Sequence, residues 1–516
     1  MNLARRLSSI AAEHAEKTAV MFEHTAYTYG DMDREIAGYS SMLTRLGVNP
    51  GDRVAIQLPK CMEFVFLELA VLSVGGIVLP LNSDYREEEV RYFLADSESR
   101  FFFTDTDRFG RVRGMADEMP GLVTVLVSEQ EQEGALSLAA VLAGSDAAYQ
   151  RTYPTGNDDI AMIIYTSGTT GRSKGAMLSH ANLIANMSAL HETWEWSDKD
   201  VLLHALPLFH VHGLFVALHG GLNAGATIIM HQKFDPSRIW ATIDQGECTV
   251  LMGVPTMYQR LVKQLALMEP RPSLASMRLF ISGSGPLLES QFNRFEEETG
   301  FRILERYGMT EAGMIASNPI DSAGRIAGSV GFPLPGVSIR VVNPEGIDMP
   351  PGEVGEVWIK GDNVFQGYWR MPEKTAESFH NGWFKTGDLG YLDAQAQGRL
   401  FLVGRAKELI ITGGYNVYPK EIEDVLESHG SVTEAAVVGM PDEDFGEKVT
   451  AVVSIGGDEA ASLEDLMVYC RERLAGYKCP KQLFVVDALP RNAMGKIQKN
   501  VLVEQFSQKH TDKGSR

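Results

Sequence analysis

The chain has 516 residues, 44% hydrophobic and 22% charged, with a formal net charge of −20. That length exceeds one ordinary core and implies two or more domains; the acidity excludes a general affinity for nucleic acid or anionic lipid, both of which need a basic surface. The cysteines, Cys61, Cys248, Cys470 and Cys479, are scattered without metal-ligand spacing, which fits a reduced, cytoplasmic setting.

In chain order, Ala4, Leu7, Ile10 and Ala11 recur at helical spacing, so the N-terminus reads as a surface helix rather than a signal peptide. Val54 to Leu58 predicts a strand, Glu63 to Val74 a helix, and Ile77 to Leu81 a second strand. The apolar run from Phe64 to Val78 contains Glu68 and ends in Gly75-Gly76, so it reads as a buried helix, and no segment reaches membrane-spanning length. Ala161 to Tyr165, Thr249 to Val254 and Leu279 to Ser282 predict buried parallel strands opening into loops at their C-terminal ends, where open α/β sheets bind ligands.

From Gly331 onward, Pro and Gly punctuate short strands such as Val354 to Lys360, which predicts a β-rich subdomain. The last hundred or so residues predict a compact α+β unit. It holds a helix from Lys420 to Leu426, strands at Ala435 to Val438 and Val449 to Val453, and a helical stripe of Leu463, Leu466, Met467, Cys470 and Leu474. The class is therefore α/β: a large N-terminal domain of mixed αβ layers with a β-rich subdomain, then a small α+β domain. The boundary falls near Gly404 to Lys407, and Gln508 to Arg516 reads as a polar tail.

The segment Tyr165 to Ala176 (YTSGTTGRSKGA) carries the strongest chemical signal. Thr166, Ser167, Thr169 and Thr170 supply hydroxyls, Gly168 and Gly171 expose backbone N–H groups, and Lys174 adds charge, as a polyphosphate requires. Ser173 stands where a Walker loop needs glycine, so this is a different phosphate loop. A merely flexible Gly/Ser linker would not need so extended and specific a string.

This string resembles the signature of the adenylate-forming superfamily of acyl-CoA synthetases, peptide-synthetase adenylation domains and luciferases. Further motifs recur in the family's order. The segment 282–287, with Gly283, Ser284 and Gly285, is similar to the adenine-side loop. Tyr307 to Glu311 is similar to the aromatic and metal-site motif, and Lys385 to Asp388 to the ribose motif. Gly404 to Lys407 resembles the interdomain hinge, and Pro490 to Lys496 the loop carrying the catalytic lysine. The resemblance implies ATP, Mg²⁺ and coenzyme A, with residues 1–404 as the adenylation domain, 405–408 as hinge and 409–516 as a mobile domain.

It further implies the roles of single residues. Glu305, Arg306, Tyr307, Gly308, Met309 and Thr310 line the nucleotide, with Tyr307 stacking on adenine. Glu311 and Thr166 serve the metal, since Mg²⁺ favours hard oxygen ligands. Asp388 accepts from ribose hydroxyls, Arg405 clamps ribose or phosphate oxygens, and Lys496 meets charge developing at the α-phosphate. The small domain swings on Lys407, withdrawing Lys496 and presenting Gly413, Gly414 and Tyr415 to a pantetheine channel. Arg471, Arg473, Lys478, Lys481, Lys496 and Lys499 are candidates to offset the phosphates of coenzyme A.

The acid site is expected from His210, His212, Gly253, Thr256 and Arg306. Arg306, with Leu304 to Glu311 and Arg325 to Val330, looks like malonyl-CoA synthetases, in which the matching arginine binds the distal carboxylate. The bland alternative pairs Arg306 with a carboxylate of the protein and leaves a neutral tunnel. Ala312-Gly313-Met314 departs from the malonate pattern, and small residues there would enlarge the pocket for a medium- or long-chain fatty acid. Other readings are an adenylation enzyme loading a carrier protein, a luciferase-like oxygenase, and a nucleotide-binding regulator without catalysis. The partners expected are the acid, ATP and CoA, with no integral membrane association, on a monomer or homodimer.

Overall fold

A computed structural model describes residues 2–113, 119, 121–128, 132–149, 153–156, 158–166, 173–395, 398–412, 415–442, 445–456, 461–492 and 496–511. Two large sheets carry the N-terminal part. In the eight-stranded sheet, Arg53–Gln57 pairs in parallel with Ile77–Pro80 and Phe101–Thr104. Ile160–Thr166 joins in parallel with Ile77–Pro80 on one side and antiparallel with Lys174–Ser179 on the other. The expectation of a purely parallel strand is corrected here: a short connection returns the chain beside itself, and only an antiparallel partner permits that.

The second sheet has 14 strands. Its parallel part takes in Thr18–Phe22, Thr227–Met230, Val201–His204, Val250–Gly253 and Leu279–Ser282. Leu304–Met309 then pairs in parallel with Leu279–Ser282 through its first residues and antiparallel with Gly313–Ser317 through its later ones. The antiparallel strands that follow, Ser329–Pro333, Arg399–Arg405, Trp383–Asp393, Gly355–Gly361 and Val337–Val342, continue from that seam. The β-rich region is therefore an extension of the parallel sheet rather than a sheet of its own.

The last part builds a five-stranded sheet, with Val432–Asp442 and Gly446–Ile455 as its long antiparallel pair. Helix Pro419–Glu427 buries Ile422 and Leu426 against it, and helix Leu463–Arg471 buries Leu466 and Cys470. Leu463 is 44% exposed, so the expected stripe starts one turn later than its spacing implied.

Helix Met62–Ser73 is buried everywhere except Glu63. No helix among the described residues is long and apolar enough to cross a membrane. Just before it, Lys60 is 8% exposed, and its ammonium donates to the carbonyl of His204 at 3.3 Å. Burial pushes its pKa down to about 7. Between that value and the usual lysine pKa the unfolded chain holds the extra proton, so stability rises with pH across that window. Lys60→Met is therefore expected to raise stability by about 1–3 kcal/mol at pH 7, with the gain shrinking toward pH 10. Denaturant titrations of both proteins at the two pH values check this.

Candidate active site

The candidate residues converge where the C-terminal ends of the parallel strands meet the antiparallel extension. Asp388 on Trp383–Asp393 stands opposite Arg405 on Arg399–Arg405, and the two pair at 2.7 Å. The Tyr307 hydroxyl donates to the other oxygen of Asp388, and the backbone N–H of Asp388 donates to Thr386 Oγ1 at 3.0 Å. Burial first, and the Asp388 charge second, hold the Tyr307 phenol neutral far above its ordinary range.

Glu311 is buried and accepts from the Tyr368 hydroxyl at 3.0 Å. Burial raises its pKa. The Lys174 ammonium lies 5.0 Å from the centre of the Tyr368 ring, and Glu311 partly offsets the desolvation that lowers the lysine's pKa. Tyr368 therefore links Lys174 of strand Lys174–Ser179 to the Glu311 carboxylate. Sequence reasoning missed it, because Gly367–Tyr368 is a two-residue strand without periodicity, and only its pairing with Lys174–Ser179 reveals the role.

Lys496 comes from the far part of the chain yet reaches the same cleft. It keeps solvent access, while the surrounding walls desolvate its ammonium and lower its pKa, with Arg405 adding to the effect and Asp388, Glu311 and Glu408 opposing it. Its charge is also felt by His210. Lys407 lies in the short turn Ala406–Glu408, between the last strand of the large sheet and Ile410–Thr412 of the small one.

A second cluster lies beneath. Arg306 is 3% exposed, and its Nε and Nη2 have no hydrogen-bond partner. No carboxylate among the described residues pairs with it, which removes the bland alternative. Burial pushes its pKa down to about 9. The guanidinium lies flat on Gly283, where a Cβ would come within 2.3 Å of Cζ. Any side chain at 283 would displace it, which is a physical reason for glycine there.

His212 Nδ1 lies 3.2 Å from Ser284 Oγ, its Nε2 is buried without a partner, and burial keeps the ring neutral. With Ser284 donating to Nδ1, the Nε2 carries a hydrogen to offer. Ser284 holds φ +68°, a left-handed conformation that costs free energy for a non-glycine residue and aims the hydroxyl at the histidine. His210 Nδ1 accepts the His212 backbone N–H at 3.2 Å, and burial pushes His210 down to about 3.

The other candidates fall around these two clusters. Gly253 ends its strand, Thr256 opens helix Pro255–Leu265, and Gly285 faces Pro255. Glu305 turns toward the small domain: its Oε1 accepts the Leu287 N–H at 3.3 Å, and burial raises its pKa to about 8 against the pull of Lys420. Gly308 packs against the Gly313 carbonyl, and Met309 and Thr310 complete the turn to Glu311. Thr166 Oγ1 donates to the Lys174 carbonyl at 3.4 Å. Ser167, Gly168, Thr169, Thr170 and Gly171, with Gly413 and Gly414, lie outside the described residues.

Two expectations change. A Cβ on Gly313, whose φ is +58°, would meet Asn186 Oδ1 at 2.7 Å and the Phe215 ring at 3.1 Å. The small residues after Glu311 thus serve close packing and do not widen a tunnel. Among the small-domain cations, Lys478 pairs with Glu421 at 2.6 Å, Lys499 with Glu423 at 2.7 Å and Arg473 with Glu472 at 3.1 Å, so those charges already have partners. Tyr415 is exposed and stacked on Tyr477 at 4.7 Å.

The chain belongs to the AMP-binding enzyme family, whose model matches residues 7–369, followed by the AMP-binding enzyme C-terminal domain over 421–496. Within it the chain is an acid–thiol ligase, using ATP, Mg²⁺ and coenzyme A. It is 34% identical to the mitochondrial malonate–CoA ligase ACSF3 of Mus musculus, covering 96% of this chain and 90% of the relative. It is 35% identical to an oxalate–CoA ligase of Arabidopsis thaliana, over 91% of each chain. Among solved structures, ATP-bound MatB from Rhodopseudomonas palustris superposes with a TM-score of 0.91 at 43% identity, over 98% of both chains.

Proposed function

We propose that the protein converts a small dicarboxylic acid, malonate or methylmalonate, to its CoA thioester with release of AMP and pyrophosphate. The observation that carries this reading is the buried Arg306 with Nε and Nη2 unpaired, beside the unpaired Nε2 of His212. A buried cation without a counterion is costly, and a guanidinium edge fits a carboxylate with two parallel hydrogen bonds. A diacid would bring the missing anion on one end and present the other end to ATP. Relatives named for malonate and for oxalate support the same class of acid.

The steps then divide among residues of this chain. Thr166 to Lys174 cradle the triphosphate, Tyr307 stacks on adenine, and Asp388 and Arg405 hold the ribose. Lys496 neutralises charge as the carboxylate attacks the α-phosphorus in line and pyrophosphate leaves. The acyl-adenylate then yields to the CoA thiol, with AMP as leaving group. The buried carboxylate of Glu311, with the Thr166 hydroxyl as a further oxygen in this reading, suits Mg²⁺, which usually rests on one or two carboxylates plus substrate phosphates. Bound there, the ion would neutralise phosphate charge. Residues 405–408 serve as the hinge between 1–404 and 409–516 in this reading. The four cysteines are all free, which supports a cytoplasmic setting.

A CoA-dependent AMP-release screen with malonate, methylmalonate, acetate, octanoate and palmitate tests the assignment. The expected result is preference for malonate or methylmalonate over octanoate by about 10⁴-fold in kcat/KM, as for a site whose polar groups a wrong substrate leaves unpaired. Octanoate or palmitate outperforming the diacids would overturn it.

A further inference from the structure

His212 opens an unusual element. Residues His212–His219 form a π-helix, and every one of them is buried. The π register is rare and is normally confined to single turns, so eight residues of it need support from their surroundings. The sequence His-Gly-Leu-Phe-Val-Ala-Leu-His offers polar side chains only at its two ends.

Near the start, His204 Nδ1 accepts the Leu206 N–H, which leaves Nε2 to donate to the Gly213 carbonyl at 2.9 Å. A Cβ on Gly213 would come within 1.9 Å of the Pro207 carbonyl oxygen, so the chain is pressed close there. At the other end, His219 Nε2 and Glu68 Oε2 hydrogen-bond at 3.1 Å, both residues having no solvent exposure. Glu68 Oε1 and His219 Nδ1 have no other partner. Glu68 sits on helix Met62–Ser73, which follows a strand of the eight-stranded sheet, whereas the π-helix follows a strand of the 14-stranded sheet. The pair thus ties the helical layers of the two sheets together inside the core.

We propose that Glu68 and His219 are positioning residues for the acid site: their bond holds the π register of His212–His219, and through it His212 beside Ser284 and Arg306. This rests on reading those residues as the acid site. Relaxing the stretch from i→i+5 to i→i+4 bonding would turn its first residue about the helix axis relative to its last. His212 would then leave Ser284, while the nucleotide cluster, which stands on other strands, would not move.

The test uses Glu68→Met with His219→Leu, which removes both polar partners and strands no charge, together with His219→Asn, which keeps a donor for Glu68. The double variant is expected to melt no lower than wild type, to raise the malonate KM about tenfold or more, and to leave the ATP KM unchanged. His219→Asn is expected to stay close to wild type. In a His212→Ala background the double substitution is expected to add nothing further to the malonate KM. Amide hydrogen exchange across residues 211–219 reads the register without substrate, and faster exchange is expected in the double variant. Unchanged exchange, or malonate and ATP KM values rising together, would overturn the proposal. A wild-type enzyme inactive on every diacid would instead sink the acid assignment, and the exchange measurement would still decide the role of the pair.

Discussion

Arg306→Met is expected to remove dicarboxylate turnover while leaving the protein as stable as wild type or more so. In the free enzyme the guanidinium is buried, has no carboxylate partner among the described residues, and is held down to about 9 by its surroundings. Exchanging it for an apolar side chain of similar length relieves that desolvation, so the melting temperature should hold or rise. With a diacid bound, the same change leaves a carboxylate buried without its partner. Such a loss costs about 2–5 kcal/mol, which is about 30-fold to several thousand-fold in kcat/KM. The two readings separate in one experiment. A drop in activity together with a drop in stability would point to a structural arginine, and unchanged malonate kinetics would eliminate the diacid site.

Lys496→Ala is expected to slow adenylate formation by about 10²–10³-fold, the usual effect of removing one preorganised stabiliser of transition-state charge. Transfer from a supplied acyl-adenylate to CoA should be nearly spared, because in the proposed cycle the small domain withdraws Lys496 from beside Arg405, Asp388 and Glu311 before the thiol attacks. Pyrophosphate exchange and thioester formation measured separately check this. Equal loss of both would show that Lys496 serves the whole site rather than the first half-reaction.

Much of this architecture is legible in the sequence, and for physical reasons. Residues 279–281 and Ile77–Pro80 are short, apolar throughout and bounded by turn residues, so their pattern admits little besides a buried strand. Arg306 stands out through the resemblance of Leu304 to Glu311 to malonyl-CoA synthetases rather than through any local pattern. What the sequence withholds depends on distant partners. No local pattern announces that Leu304–Met309 changes pairing sense midway, since that is decided by Gly313–Ser317 on its far side. Tyr368 became meaningful only once its strand lay beside Lys174–Ser179. The resemblance places Ser284 on the adenine side, whereas its contact with His212, 72 residues away, is invisible to any local reading. The small residues after Glu311 suggested room, whereas Asn186 and Phe215 fill that space.

The strand that changes pairing sense has a consequence for how such an enzyme diversifies. Successive side chains on a strand face opposite ways, so Glu305 and Tyr307 look toward the small domain and Asp388 while Arg306 looks toward Gly283. On the proposed reading, position 306 can therefore be rewritten to accept a new acid while Tyr307, on the opposite face beside Asp388, goes on serving the nucleotide. If the site works in that way, selection or a protein engineer alters what is activated without touching the Tyr307–Asp388 face that holds the activating nucleotide.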